Sequence, residues 1–379
     1  MLQVLPALET GGAERGAVDV ACALAAAGGR AFVASAGGRM VRELERNGVK
    51  HFVLPVKTKN PFIMHANAGR IARLSEQLKV DILHARSRAP AWSAYWASQR
   101  TGIPFVTTVH SPHSAGGLKK RYNSSLVKGE RIIAISDFIA DYIRTTYGPV
   151  PPRVRVIHRG IDVDIFDPVR VDVPRIINLA RAWGLPDGLP VVMLPGRLSR
   201  WKGHAVLIEA LARLGTKDVC GLIVGADQRG PEYRRELEKL AAARGLGGNM
   251  RLVPDCRDMP AAYMLADVVV SASTKPEAFG RVITEAQAMG RPVIATDHGA
   301  ARETIVPGRT GWTVPPGDAD ALAAALRSAL SLDAAAREAY ARESIVHVRR
   351  NFSKAKMCGE TLDLYREVVA ARAAQAPAA

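Results

Sequence analysis

A doubly wound α/β fold in two domains is what this chain predicts, and three observations predict it. Short apolar strand-like runs alternate with helix-like runs almost from end to end. That alternation is the pattern of a parallel sheet wrapped on both faces. The length, 379 residues, is enough for two domains with full cores. The rhythm breaks once, at residues 167–190, where Pro168, Pro174, Pro186 and Pro190 gather with Gly184 and Gly188. Proline and glycine at that density mark a linker or a domain edge.

In the first half, Leu2–Leu5 reads as a strand and Ala13–Ala27 as a helix. Arg30–Ser35 and His51–Val56 are strands around a helix at Arg39–Asn47. Met64–Lys79 and Pro90–Thr101 are helices around a strand at Asp81–Ala85. Strands Phe105–His110 and Arg131–Ser136, helix Asp137–Tyr147 and strand Val154–His158 complete the half. After the break come strand Val191–Pro195, helix His204–Leu214, strand Gly221–Val224 and helix Pro231–Arg244. Strand Arg251–Pro254, helix Pro260–Leu265, strand Val268–Ser271, helix Arg281–Met289 and strand Pro292–Ala295 follow. Helical runs at Ala319–Leu332, Ala334–Val348 and Ser353–Ala374 lead into an Ala/Pro tail.

Hydrophobic residues make up 48% and charged residues 23%, ordinary for a globular chain. No apolar run is long enough to span a bilayer. Met1 leads straight into a strand-like run, so no leader peptide is expected and the expected compartment is the cytoplasm. Cys22, Cys220, Cys256 and Cys358 form no CxxC pair, which argues against a disulfide framework or a zinc site. The net charge of +16 is uneven. Residues 1–170 hold 24 Lys and Arg against 13 Asp and Glu, or +11, whereas residues 171–379 hold 28 against 23, or +5. The excess points to an anionic partner on the first half, either nucleic acid or an anionic membrane surface. There is no basic helix or aromatic-basic alternation of the nucleic-acid kind.

Five clusters carry candidate chemistry. Glu277 and Glu285 stand with seven residues between them, around Phe279–Gly280, after a strand and at the start of a helix. In open α/β sheets ligands bind at the carboxyl ends of strands, and a helix N-terminus there favours anions. Carboxylates accept hydrogen bonds from vicinal sugar hydroxyls; two solvated charges near a helix start fit the same spacing. Arg197 and Lys202, in Pro195–Gly203, pair a planar fork with a point charge, which suits a diphosphate. Gly11–Gly12, before the first helix, lets backbone N–H groups approach a ligand or makes a tight turn, and it lacks the dinucleotide GxGxxG pattern. His110 ends a strand and is followed by His113. Basic residues at several strand ends complete the set: Lys57, Lys59, Arg86, Arg88, and Lys119–Lys120–Arg121 after the Gly-rich loop Ser114–Gly117. They suit anionic lipid or phosphorylated sugar acceptors. Trp92 and Trp96 share one helix face nearby and read best as packing.

Taken together and in this order, the motifs resemble those of the retaining glycosyltransferases of family 4, which have the GT-B fold. The resemblance covers nearly the whole chain. It rests on Gly11–Glu14 (GGAE), Thr108–His110 (TVH) and Ala134–Ser136 (AIS). It continues through Val156–Asp162 (VIHRGID) with Phe166, Gly196–Gly203 (GRLSRWKG), the glutamate motif Glu277–Glu285, and Gly299–Glu303 (GAARE). The family commonly has Asn where this chain has Arg159, a departure expected to touch only a hinge contact.

The resemblance implies two Rossmann-like domains facing across a cleft. Residues 1–170 would bind the acceptor and 171–352 the nucleotide sugar. The helix within 353–379 would cross back to the first domain and end in a loose tail. Arg197 and Lys202 would hold the donor diphosphate, and Glu285 the ribose. Glu277 and the backbone at Phe279–Gly280 would hold the donor sugar, with His110 near the reacting carbon and Gly11–Gly12 on the phosphate side. The implied activity is metal-independent transfer of a hexose, with retention, from a nucleotide-sugar donor and no other cofactor. No DxD-type carboxylate pair stands at a strand end, in keeping with that. The expected acceptor is a glycan or glycolipid such as lipopolysaccharide core, reached by peripheral docking through Arg86, Lys119, Lys120 and Arg121. A sugar-nucleotide epimerase shares this fold but its signature is missing. A non-catalytic anion-binding protein is opposed by the intact Arg197, Lys202, Glu277 and Glu285.

Overall fold

Every strand pairing among the described residues is parallel, as alternating strands and helices require. The computed structural model describes residues 1–113, 116–148, 153–215, 218–227 and 230–375. The chain divides into two compact units, residues 1–160 with 354–379, and residues 161–353.

The first unit runs β1 (Leu2–Val4), α1 (Gly12–Ala26), β2 (Phe32–Ser35), α2 (Val41–Arg46), β3 (Lys50–Val53) and α3 (Pro61–Gln77). It continues with β4 (Leu83–Ala85), α4 (Arg88–Thr101), β5 (Phe105–Val109), α5 (Gly117–Asn123), β6 (Arg131–Ala134), α6 (Asp137–Tyr147) and β7 (Val154–Val156). The sheet order is β3-β2-β1-β4-β5-β6-β7. The order reverses between β1 and β4, which makes a crevice at their carboxyl ends. Local chemistry sets the helix starts. The Asn60 side chain accepts from the Phe62 N–H ahead of a first-turn Pro61, and Ser136 caps α6 through the Ile139 N–H.

The second unit runs α7 (Val173–Ala182), β8 (Val191–Pro195), α8 (His204–Ala212), β9 (Cys220–Val224), α9 (Glu232–Ala243), β10 (Met250–Val253) and α10 (Met259–Leu265). Then come β11 (Val268–Ser271), α11 (Arg281–Ala288), β12 (Val293–Thr296), α12 (Ala301–Thr304), β13 (Trp312–Val314), α13 (Ala319–Leu330) and α14 (Ala334–Asn351). The order β10-β9-β8-β11-β12-β13 reverses between β8 and β11. Side chains alternate across this sheet. Val192, Leu194, Val268 and Val270 join one buried cluster, with Leu207 of α8 and Leu322 of α13. Val191, Met193 and Val269 join the other, with Ala261 of α10 and Ile283 of α11. Burial on both faces is why these strands read as unbroken apolar runs.

Two expectations are corrected. The first unit ends at Gly160 rather than at 170, because Ile161 already bridges to Ser353 within the second unit. Residues 167–190 are not simply a linker. Asp172 caps α7 through the Arg175 N–H, Pro174 sits in the first turn, and Ile176 and Leu179 pack on the core. The prolines start structure here instead of breaking it. The Ser114–Gly117 loop lies partly outside the described residues; Gly117 begins α5. The final helix, α15 (Lys354–Gln375), belongs to the first unit, where Met357, Leu362, Leu364, Tyr365 and Val368 enter the core beside α1. Among the described residues, no helix is long and apolar enough to cross a membrane.

Candidate functional site

In the second unit, β8 and β11 are sheet neighbours on either side of the order reversal. The loops that leave their carboxyl ends touch backbone to backbone. Gly203 has φ +76°, and a Cβ there would lie 1.8 Å from the Ala272 carbonyl oxygen, so only glycine lets the loops meet. The Thr274 N–H donates to the Trp201 carbonyl at 2.7 Å. This closeness puts Lys202 Nζ 2.7 Å from Glu277 Oε1, with both side chains largely buried at 13% and 17% exposure. Ser273 Oγ donates to the same carboxylate oxygen at 2.5 Å. The Lys202 ammonium also lies 4.6 Å from the centre of the Trp201 ring.

Glu277 is propped from behind. Gly299 has φ +59°, and a Cβ there would stand 2.4 Å from the Glu277 carbonyl oxygen. The Ala300 N–H donates to that oxygen at 3.0 Å. The Gly299–Glu303 motif therefore shapes the glutamate loop. Phe279 is buried edge-on to Phe352, so its side chain is core and only its backbone is available to a ligand. Gly280 then opens α11. Glu285, in the second turn of α11, takes Arg281 Nη2 on one oxygen at 3.0 Å and the Tyr263 hydroxyl on the other at 2.9 Å. Burial, then the Glu285 charge, pushes the Tyr263 phenol well above its usual range, so it stays a donor. Each Glu285 oxygen has a second lone-pair direction for a ligand hydroxyl. Arg197 is exposed, beside Ser199, Arg200, Trp201, Asp227 and Lys275 in a groove of about 590 Å³.

In the first unit, His110 follows β5 directly. Its Nδ1 lies 2.8 Å from Nη2 of Arg159, and its Nε2 is buried with no partner among the described residues. Burial, then Arg159, Arg86, His84 and His113, hold the imidazole well below its usual pKa, hence neutral. Gly11 is the N-cap of α1 and supplies no side-chain cap, so the first N–H groups of α1, from Gly12 on, have no cap of that kind. Burial and then Arg88 lower the His113 ring to about 4, and its backbone both donates to and accepts from the Tyr142 hydroxyl.

Arg86 departs from its expected place on an acceptor or membrane surface. It is only 6% exposed. Its Nε donates to Gln3 Oε1 at 2.5 Å, and its Nη1 would be 3.7 Å from a Cβ at Gly16. Gln3 on the adjoining β1 and the space left by Gly16 accommodate the guanidinium inside the unit. Next to it, His84 bridges the Tyr365 hydroxyl at 2.5 Å and Thr108 Oγ1 at 2.7 Å. Lys119, Lys120 and Arg121 are exposed on α5 beside an 84% exposed Leu118. Trp92 and Trp96 pack with ring centres 5.5 Å apart, and Trp92 Nε1 donates to the Tyr122 carbonyl at 2.8 Å.

Sequence reasoning missed Ser273, Tyr263 and the Arg159–His110 contact. Ser273 had a local signal, since it lies four residues before Glu277 in the same strand-end loop. Tyr263 and Arg159 reach their partners across 22 and 49 residues, and no local pattern marks that.

Both units match known proteins. A family model described as Glycosyl transferases group 1 matches residues 176–345, and one described as Glycosyltransferase Family 4 matches residues 10–165. A D-inositol 3-phosphate glycosyltransferase of Salinispora tropica is 32% identical over 316 residues, 76% of this chain. The aligned region spans 64% of that relative's length. The crystal structure of a glycosyltransferase from Rickettsia africae is similar with a TM-score of 0.90 and 36% identity, over 97% of this chain and 98% of that one. Anabaena HepE, solved in complex with UDP and glucose, gives a TM-score of 0.82 at 24% identity, over 96% and 98% of the two chains.

Proposed function

The chain belongs to the GT-B glycosyltransferases of the group 1 and family 4 type, and on that premise we propose that it moves a hexose from a nucleoside diphosphate sugar to a hydroxyl of an anionic acceptor, with retention and without a divalent metal. The observation that carries this reading is the Lys202–Glu277 contact at the crevice of the second unit, with Glu285 on the helix beside it. A lysine and a strand-end arginine suit a diphosphate; the carboxylates suit the hydroxyls of sugar and ribose.

In the proposed reaction the bond between the anomeric carbon and the donor's β-phosphate oxygen breaks, and the acceptor oxygen bonds to the same face of that carbon. The acceptor's proton passes to the departing phosphate, and the nucleoside diphosphate leaves. Arg197 and Lys202 would stabilise the charge that builds on that phosphate. Glu277 and the backbone at Phe279–Gly280 would orient the sugar, and Glu285 would hold the ribose. His110, with the Gly11–Gly12 turn, is assigned to the donor sugar and phosphate from the first unit.

The acceptor is a phosphorylated saccharide or polyol. The +11 charge of residues 1–170 supports an anionic acceptor, and the Salinispora tropica relative's name supports a phosphorylated polyol. Envelope glycolipids such as lipopolysaccharide core are the lipid-borne form of the same chemistry, with Lys119, Lys120, Arg121 and exposed Leu118 available to a membrane surface. A panel of UDP- and GDP-hexoses tests the reading. The expected result is a stabilising thermal shift with one base series, and transfer to a phosphorylated acceptor that persists in EDTA and keeps the anomeric configuration by NMR. No shift and no turnover with any nucleoside diphosphate sugar would sink it.

A further inference from the structure

The interaction between Arg159 and His110 has a consequence for the chemistry of the site. A guanidinium has five N–H donors and no acceptor, and it keeps its proton at any accessible pH. With Arg159 Nη2 at 2.8 Å from His110 Nδ1, Nδ1 must be the acceptor. The ring proton then sits on Nε2, because the bond made by one imidazole nitrogen sets the state of the other. Nε2 is buried and meets no acceptor among the described residues, and His110 borders a cavity of about 20 Å³ shared with Gly12, Gly16, Arg86, Thr108 and Thr361. We propose that Arg159 is a positioning residue that fixes His110 as the neutral Nε2–H tautomer, so that His110 serves the reaction as a hydrogen-bond donor and never as a proton acceptor.

The surroundings agree from every side. Among the described residues, the charged and titratable groups that act on the ring are Arg159 after β7, His84 on β4 and Arg86 just after it, and His113 from the following loop; all of them oppose a positive imidazole and none is a carboxylate. Protonation at Nδ1 would also break the bond to Arg159 and set two cations together. The acceptor hydroxyl therefore cannot give its proton to His110, which leaves the departing phosphate to take it. This last step rests on the functional reading above; the tautomer does not. An asparagine at this position would offer either a donor or an acceptor, and would leave both tautomers open.

Long-range 1H–15N spectra of the full chain labelled with 15N-histidine test the assignment, with the His110 signals identified by their loss in His110→Gln. The expected wild-type result is a single Nε2–H form that does not titrate near the ordinary value of about 6.5. Arg159→Lys, which also only donates, should keep it. Arg159→Asn should show both tautomers and titrate nearer the ordinary value of about 6.5. A wild-type ring protonated on Nδ1, or titrating near about 6.5, would overturn the proposal. So would an Arg159→Asn ring that keeps the wild-type tautomer and pH profile. A wild-type Nε2–H ring in a protein that turns over no sugar nucleotide supports the assignment and counts against the functional reading instead.

Discussion

Lys202 and Glu277 stand 2.7 Å apart in a largely buried place, so neither charge can be removed without stranding the other. Glu277→Gln keeps an acceptor for Ser273 but loses the ion pair. It should lower kcat by about a hundredfold, and Lys202→Met, which takes a cation from the departing phosphate, should lower kcat as well as raise the donor KM. The two sites should also couple in stability. A double-mutant cycle by urea unfolding should give an interaction of about 1–3 kcal/mol, and additivity within about 0.5 kcal/mol would show that the contact contributes nothing. Both residues were legible in the sequence as strand-end groups, because apolar runs mark the strands that precede them. Their pairing was not, since 75 residues separate them and only the adjacency of β8 and β11 brings them together. Arg86 teaches the converse. A basic residue after a strand reads as surface, yet Gln3 and the cleared space at Gly16 let it turn inward. Those partners lie on other elements, where a residue-by-residue reading has no access to them.

Elements aim these side chains, and the loop at Gly299 is the clearest case. A Cβ at Gly299 would meet the Glu277 carbonyl oxygen at 2.4 Å and its nitrogen at 2.8 Å, both of them backbone atoms that cannot rotate away. Gly308 has a similar φ of +74° but nothing within 4 Å of its would-be Cβ. Gly308→Ala should therefore cost only the left-handed penalty, about 1–2 kcal/mol. Gly299→Ala should cost more and also raise the KM for the donor, because it displaces the Glu277 loop. Equal melting temperatures and equal donor KM for the two variants would refute the idea that this motif shapes that loop. Strand β13 and the short helices α5 and α12 escaped the sequence reading, but most of the strand and helix order was legible, because strands buried on both faces read as apolar runs. Helix α7 was not. Its prolines are the same residues that end helices, and only the Asp172 cap and the Ile176 and Leu179 contacts show that Pro174 begins one.

At the scale of the chain, the last 26 residues, 354–379, belong with the first 160. Helix α15 lays Met357, Leu362, Leu364 and Val368 into the core of the first unit, each 8% exposed or less. Burying four such side chains is worth about 6–12 kcal/mol at the usual 1.5–3 kcal/mol each. That matches the whole stability of a typical domain, about 5–15 kcal/mol. Tyr365 adds the buried bond to His84, which in turn holds Thr108 two residues before His110. Ending the chain at Ser353 should therefore unfold the first unit and spare the second, which keeps both of its core layers within residues 161–353. Hydrogen exchange read by mass spectrometry decides it. Amides of β1, β4 and β5 should lose protection in the truncated chain while those of β8, β11 and β12 keep theirs. Retained protection in β1 and β4 would mean that the first unit is stable without its terminal helix. Tyr365→Phe separates packing from the hydrogen bond. It preserves the ring in the core, so it should leave exchange in β8 and β11 untouched and loosen only the β4–β5 pairing that leads to His110.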